Sequence, residues 1–205
     1  NLGWTHIAGS IDESAVTGRA NFTEVIQEGV LRAKLAEINL REVDGASVPW
    51  LDEGRISEAL AAITRIARPR LIEANQVATQ LLLLGVTVDG LPEWDGGRGQ
   101  TIRFIDWDTP ENNSFTVVNQ FRVDCPPGYN SGKAFIVPDL VLLVNGIPLV
   151  FVELKNSNVK LKTAYTDNLT NYKHDIPQLF ITNAFCVLSN AMETRLGSLT
   201  GQWEH

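Results

Sequence analysis

Apolar residues recur along this chain with two different periods, and the change of period organises it. Behind Asn21-Phe22-Thr23-Glu24, the residues Val25, Ile26, Val30, Leu31, Leu35 and Ile38 return at helical spacing after a capping residue and an early acid, which predicts a helix over 22–38. Leu60, Ile63 and Ile66 keep that period after Ser57-Glu58. A further helix over 69–84 begins at Pro69, tolerated in a first turn, and stops at Gly85. Beyond Gly85 the pattern turns to alternation and short apolar runs. Segments 86–88, 101–106, 114–123, 137–144, 147–155 and 185–189 read as strands separated by turn-rich pieces. One more helical stretch over 164–172 carries Leu169 and Tyr172 on one face and is ended by Asp175-Ile176-Pro177. Residues 1–20 show no periodicity. Helices, a strand meander, a helix and a last strand imply an α/β fold with a mixed central sheet flanked by helices. Residues 1–54 read as an N-terminal helical or irregular region and 55–205 as the core, together one domain.

Charge breaks the apolar pattern in one place. Asp139, Glu153 and Lys155 sit within the two strand-like runs joined at Asn145-Gly146, a strong hairpin signal. Ionised groups are seldom left inside such strands unless paired or holding a metal, because desolvating them unpaired costs several kcal/mol. Register decides whether the carboxylates can cooperate. A two-residue Asn145-Gly146 turn pairs Asp139 with Val152 and sends Glu153 to the opposite face. An odd loop, with Gly146 left-handed in a bulge, sets Asp139 opposite Phe151 with Glu153 as its diagonal neighbour, and Lys155 shares Glu153's face. Two carboxylates suit Mg²⁺, with Mn²⁺ as a substitute, since such ions keep several waters and leave room for phosphate oxygens. A surface Glu153–Lys155 pair, with Asp139 merely starting a strand after Pro138, fits the same residues.

Composition narrows the classes. With 44% hydrophobic and 20% charged residues the chain is an ordinary globular one, and no apolar run approaches a membrane span. A net charge of −7 speaks against non-specific coating of nucleic acid. Locally, however, Lys155, Lys160, Lys162 and Lys173 face only Asp167 between 155 and 173, either a nucleic-acid patch or a solvated loop. Cys125 and Cys186 make no disulfide framework or zinc spacing, which fits a reduced, cytoplasmic setting. His6, His174 and His205 are scattered. Asp95-Gly96-Gly97-Arg98-Gly99-Gln100 lacks the Gly-Lys-Ser/Thr ending of a phosphate loop, so no ATP site is expected. The opening Asn1-Leu2-Gly3-Trp4 is neither a signal peptide nor a natural start, and reads as the start of a fragment.

Pro138-Asp139 with Glu153-Leu154-Lys155 resembles the PD-(D/E)xK nuclease signature. Val118-Asn119-Gln120-Phe121, the run from Pro138 to Leu149, Val152 to Asn156, and Asp175-Ile176-Pro177-Gln178-Leu179-Phe180 with Asn183 to Val187 narrow the resemblance. Together they are similar to the N-terminal nuclease domain of the restriction (R) subunit of type I restriction enzymes. That resemblance implies a restriction-endonuclease-like core and a prokaryotic endonuclease that cuts double-stranded DNA with Mg²⁺. It also implies helicase-like motor domains elsewhere in the subunit, and modification and specificity subunits as partners. Asp139 and Glu153 become metal ligands and Lys155 the catalytic lysine. The family's Gln-x-x-x-Tyr motif falls on Asn168 and Tyr172, with Asn for Gln a departure, and a core role for Tyr172 stays open. Its acidic helix before Leu-Gly-Trp is not seen ahead of Leu2-Gly3-Trp4, and Glu73 is a substitute acid to consider. A catalytically silent DNA- or subunit-docking module, or a nuclease for other nucleic acid structures, would share much of this sequence.

Overall fold

The computed structural model describes residues 3–128 and 132–203; Asn1 and Leu2 of the opening motif and His205 lie outside them. Strand β1 (Thr5–Ala8) and a 3-10 turn (Ser14–Thr17) come first. Helix α1 spans Glu28–Ile38, β2 Leu40–Val43 and β3 Ala46–Pro49. Helices α2 (Glu53–Thr64) and α3 (Leu71–Leu84) precede β4 (Val86–Asp89), a short α4 (Pro92–Asp95) and β5 (Gly99–Ile102). Then follow β6 (Phe115–Asn119), β7 (Val123–Asp124), β8 (Phe135–Ile136), β9 (Leu140–Val144) and β10 (Ile147–Leu154). A helix begins as α5 (Leu161–Thr163), widens to a π-helical stretch (Ala164–Leu169) and continues as α6 (Thr170–Asp175). Helix α7 (Pro177–Phe180), β11 (Phe185–Ser189) and β12 (Thr194–Gly197) complete the order.

Six strands form a mixed sheet in the order β1-β6-β9-β10-β11-β12. β1 runs parallel to β6, β10 parallel to β11, and the other neighbours are antiparallel. The expected α/β fold with a helix-flanked mixed sheet is therefore present. Being central, β10 is buried on both faces, so it reads as a continuous apolar run. Phe151, 1% exposed, packs against Tyr172 of α6 and Phe180 of α7 at ring distances of 6.0 and 5.4 Å. Leu31 and Leu35 of α1 belong to the same core as Val141, Phe151 and Leu188.

Several expected boundaries move for identifiable reasons. The helix expected from 22 starts only at Glu28. Asn21 Oδ1 does accept from the Thr23 and Glu24 amides, but this closes a local turn. Gln27 is drawn away by its amide bond to the Gly146 carbonyl (2.9 Å) and by Nε2 on the Thr17 carbonyl (2.8 Å). Helix α2 starts earlier than Ser57, because Asp52 caps it by accepting from Arg55 N at 2.8 Å. The strand expected over 101–106 is shorter, ending at Ile102, and that over 114–123 breaks after Asn119, where Gln120 takes φ 50°. Gly85 ends α3 as expected; a β-carbon there would meet the Ile102 carbonyl oxygen at 2.4 Å.

The hairpin itself corrects the expected odd turn. Val144 pairs with Ile147, so Asn145 and Gly146, at φ 52° and 78°, form the whole two-residue turn. The extra residue is Leu149. Pro148 pairs with Leu143, but Val150 pairs with Leu142, and the register stays shifted through Phe151–Val141 and Val152–Leu140. Pro148 has no N–H to give the ladder, which is why a central strand carries its irregularity there. Asp139 thus comes level with Glu153 rather than with Phe151.

Candidate active site

Asp139 lies just before β9, Glu153 near the end of β10, and Lys155 directly after it. Two amides hold the Asp139 backbone from β6's end: Gln120 N–H donates to the Asp139 carbonyl at 2.9 Å and Phe121 N–H to that of Pro138 at 3.0 Å. Asp139 Oδ2 accepts from Leu154 N at 2.7 Å, which fastens the two strands at their open end. Lys155 N–H donates to the Ser189 carbonyl of β11 at 2.8 Å, and its Nζ to Glu153 Oε1 at 2.8 Å. Glu153 is 3% exposed, and its Oε2 is buried with no hydrogen-bond partner among the described residues. A buried, unpartnered carboxylate oxygen beside a second carboxylate is a donor set that fits a hard divalent cation. Asp139 and Glu153 are the residues that would hold it; no group of three or more His, Cys, Asp or Glu side chains with metal-binding geometry occurs among the described residues. Glu73 of α3 forms no such group with them; its carboxylate pairs with Arg70, just before that helix.

Electrostatics agree with this geometry. Burial pushes the Glu153 carboxyl above its ordinary range; the Lys155 hydrogen bond opposes that, and the Asp139 charge adds to it. Lys133, in the loop before β8, also acts on Glu153, and no sequence pattern singled it out. Burial works against the Lys155 charge, but the bond and charge of Glu153 outweigh it and hold the ammonium above its usual value. A carboxyl that keeps its proton to higher pH in the folded chain than in the unfolded one makes stability greatest at low pH, and the stability declines as pH rises through the raised value. Glu153→Gln has no such slope. In EDTA, the melting temperature of Glu153→Gln relative to the wild type should therefore rise between pH 4 and pH 8; a constant or shrinking difference would refute the raised value.

The remaining sequence candidates divide into two groups. Tyr172 is 8% exposed, and burial raises its hydroxyl pKa, with Glu153, Lys155 and Asp139 all acting on it. Asn168 Nδ2 donates to Tyr172 Oη at 2.9 Å, so the two residues at Gln-x-x-x-Tyr spacing do meet, on a helix whose π-helical stretch contains Asn168. Tyr172 also packs in the core, edge-on to Phe151. Lys160 and Lys162 are exposed at the start of this helix, beyond Lys155. Lys173 turns elsewhere: its Nζ donates to the Leu199 carbonyl at 2.8 Å, and burial lowers its pKa. Both cysteines are free, and burial pushes the Cys186 thiol up to about 12, which makes it inert as a nucleophile.

A helix-flanked mixed sheet with acidic and basic side chains gathered where two neighbouring strands end defines a restriction-endonuclease-like core. Residues 1–205 match the family described as type I restriction enzyme R protein N terminus, and the chain belongs to that family. Over its whole length it is 30% identical to the "Putative type I restriction enzyme MjaIXP endonuclease subunit" of Methanocaldococcus jannaschii, of which it covers 18%. Over 80% of its length it is 31% identical to the type I restriction enzyme HindI endonuclease subunit of Haemophilus influenzae, of which that match covers 15%. A match to the SauCOLORF180P endonuclease subunit of Staphylococcus aureus is 32% identical over 46% of the chain. The chain thus spans under a fifth of the length of the first two relatives. No helix among the described residues is long and apolar enough to cross a membrane.

Proposed function

We propose that this chain is a Mg²⁺-dependent endonuclease domain that hydrolyses phosphodiester bonds of double-stranded DNA within a type I restriction-modification complex. The observation that carries the proposal is the Glu153 carboxylate, buried with Oε2 unpartnered, level with Asp139 and hydrogen-bonded to Lys155. The relatives' names, all endonuclease subunits of type I restriction enzymes, support the same reaction class. When bound, the cation supplies positive charge to the phosphate oxygens and acidifies water. Asp139 and Glu153 are the residues that would hold the cation. Lys155, kept protonated by Glu153, donates to a phosphate oxygen and offsets the charge that grows there. Tyr172, its hydroxyl oxygen already accepting from Asn168, keeps its own proton available for a phosphate or for water. Lys160 and Lys162 attract the flanking DNA backbone, while the motor domains and the modification and specificity subunits deliver and select the DNA.

The test is cleavage of plasmid DNA by the protein as encoded in its host, assembled with its partner subunits. Asp139→Asn and Lys155→Ala should each abolish Mg²⁺-dependent cleavage without altering the circular dichroism spectrum. Full cleavage by both variants would overturn the site, and absence of cleavage by the wild-type complex would favour a silent docking module.

A further inference from the structure

The segment Asn119-Gln120-Phe121 has no share in the chemistry of Asp139, Glu153 and Lys155, yet it grips the backbone of Asp139. Gln120 makes its bond to the Asp139 carbonyl while held at φ 50°, in the left-handed region. A β-carbon makes that conformation costly, and glycine adopts it freely. The surroundings enforce it. Phe121 is fully buried with the Arg19 guanidinium 3.8 Å from its ring centroid, which fixes the residue after Gln120. On the other side Gly9 approaches so closely that a β-carbon there would lie 2.6 Å from the Gln120 carbonyl oxygen. Glycine at position 120 would therefore serve the fold better, and all that glutamine adds is its side chain. That side chain is exposed, on a residue whose backbone is bonded to that of Asp139 at the open end of the hairpin, and its amide makes no hydrogen bond among the described residues. A residue kept in a disfavoured conformation where its side chain does nothing for the fold points to a use outside it.

We propose that the Gln120 side-chain amide donates to a phosphate oxygen of the DNA strand being cut, next to the phosphodiester group that Asp139 and Glu153 address. The inference rests on the nuclease reading above. It makes Gln120 a substrate-positioning residue, and because phosphate contacts carry no sequence information, its effect is the same on DNA of any sequence.

Gln120→Gly and Gln120→Asn in the assembled complex test this, with Glu153→Gln run in parallel. Gln120→Gly should melt at or above the wild-type temperature, yet cleave about tenfold more slowly, the worth of one hydrogen bond to a charged group. Its affinity for a short duplex in buffer without divalent cations should fall by a similar factor, and Gln120→Asn should recover part of both losses. Wild-type cleavage and duplex affinity for Gln120→Gly would overturn the inference, as would a loss explained by a lower melting temperature. If Glu153→Gln still cleaves, the nuclease site itself fails, whereas the duplex affinity of Gln120→Gly still decides whether Gln120 touches DNA.

Discussion

Glu153→Gln is expected to slow DNA cleavage about a thousandfold or more, with the fold retained. Glutamine copies the shape of glutamate, so Phe151 two residues earlier keeps its packing on Tyr172 and Phe180, and the side-chain oxygen still accepts from Lys155. Only the charge is lost. The proposed chemistry gathers its electrostatic advantage at this point, because a divalent cation at a phosphoryl group contributes several kcal/mol and each 1.4 kcal/mol is a factor of ten. A neutral amide oxygen is a poor partner for Mg²⁺, and a protein that cannot hold the cation loses most of that advantage. Quantifying linear and nicked plasmid over time in the assembled complex measures the effect, and cleavage within about threefold of wild type would rule Glu153 out. Glu153→Gln removes a buried carboxylate with an unpartnered oxygen but also takes the counter-charge from Lys155, two effects of opposite sign, so the inactive variant should melt near the wild-type temperature.

Asn145→Ala should have the largest effect on stability, about 3 kcal/mol or more. Asn145 is fully buried at the tip of the hairpin, an unusual place for a turn residue. Its Nδ2 donates to the Phe104 carbonyl at 2.9 Å and to Asn113 Oδ1 at 2.8 Å, and its Oδ1 accepts from Ser114 N at 2.8 Å. Alanine strands these partners away from water, at about 1–3 kcal/mol for each group left unpaired. It must also take the φ of 52° that asparagine tolerates better. For a domain of this size the loss corresponds to a drop in Tm of roughly 10 °C, readable by calorimetry. Asn145→Gly, which accepts the conformation but lacks the bonds, should lose less, and the difference isolates the backbone contribution. A Tm within about 2 °C of wild type for Asn145→Ala would show that water replaces the side chain.

What could be read from the chain without its structure was whatever depends on near neighbours. The end of α3 at Gly85, the place of the hairpin turn at Asn145-Gly146, though not its length, and the meeting of Asn168 with Tyr172 are local, set by backbone freedom or by one turn of helix. Asp139 and Glu153 stood out because charge in a buried strand is costly wherever it occurs. The rest depends on distant partners. The start of α1 follows from Gln27 bonding to Gly146, and β1 finds its place only by pairing with β6, where His6 Nε2 also meets Asn119 Oδ1 at 3.0 Å. Lys173 looked like one of a row of equivalent lysines until the Leu199 carbonyl claimed it. The register lies between these extremes: the need for one extra residue was legible, and Pro148 was in plain view, but the extra residue was sought in the turn.

Because Leu149 bulges out of β10, it is the one position between Ile147 and Val152 with no partner on β9, although its carbonyl accepts from the Ala184 amide at 2.7 Å on the other side. Deleting it would straighten the strand while Val150, Phe151 and Val152 kept the partners they have now. Asp139 and Glu153 would still meet across the strands although one residue fewer separated them. The interval between the two acids therefore has slack built into it, and a homologue whose acids stand one residue closer together could assemble the same site on a straighter strand.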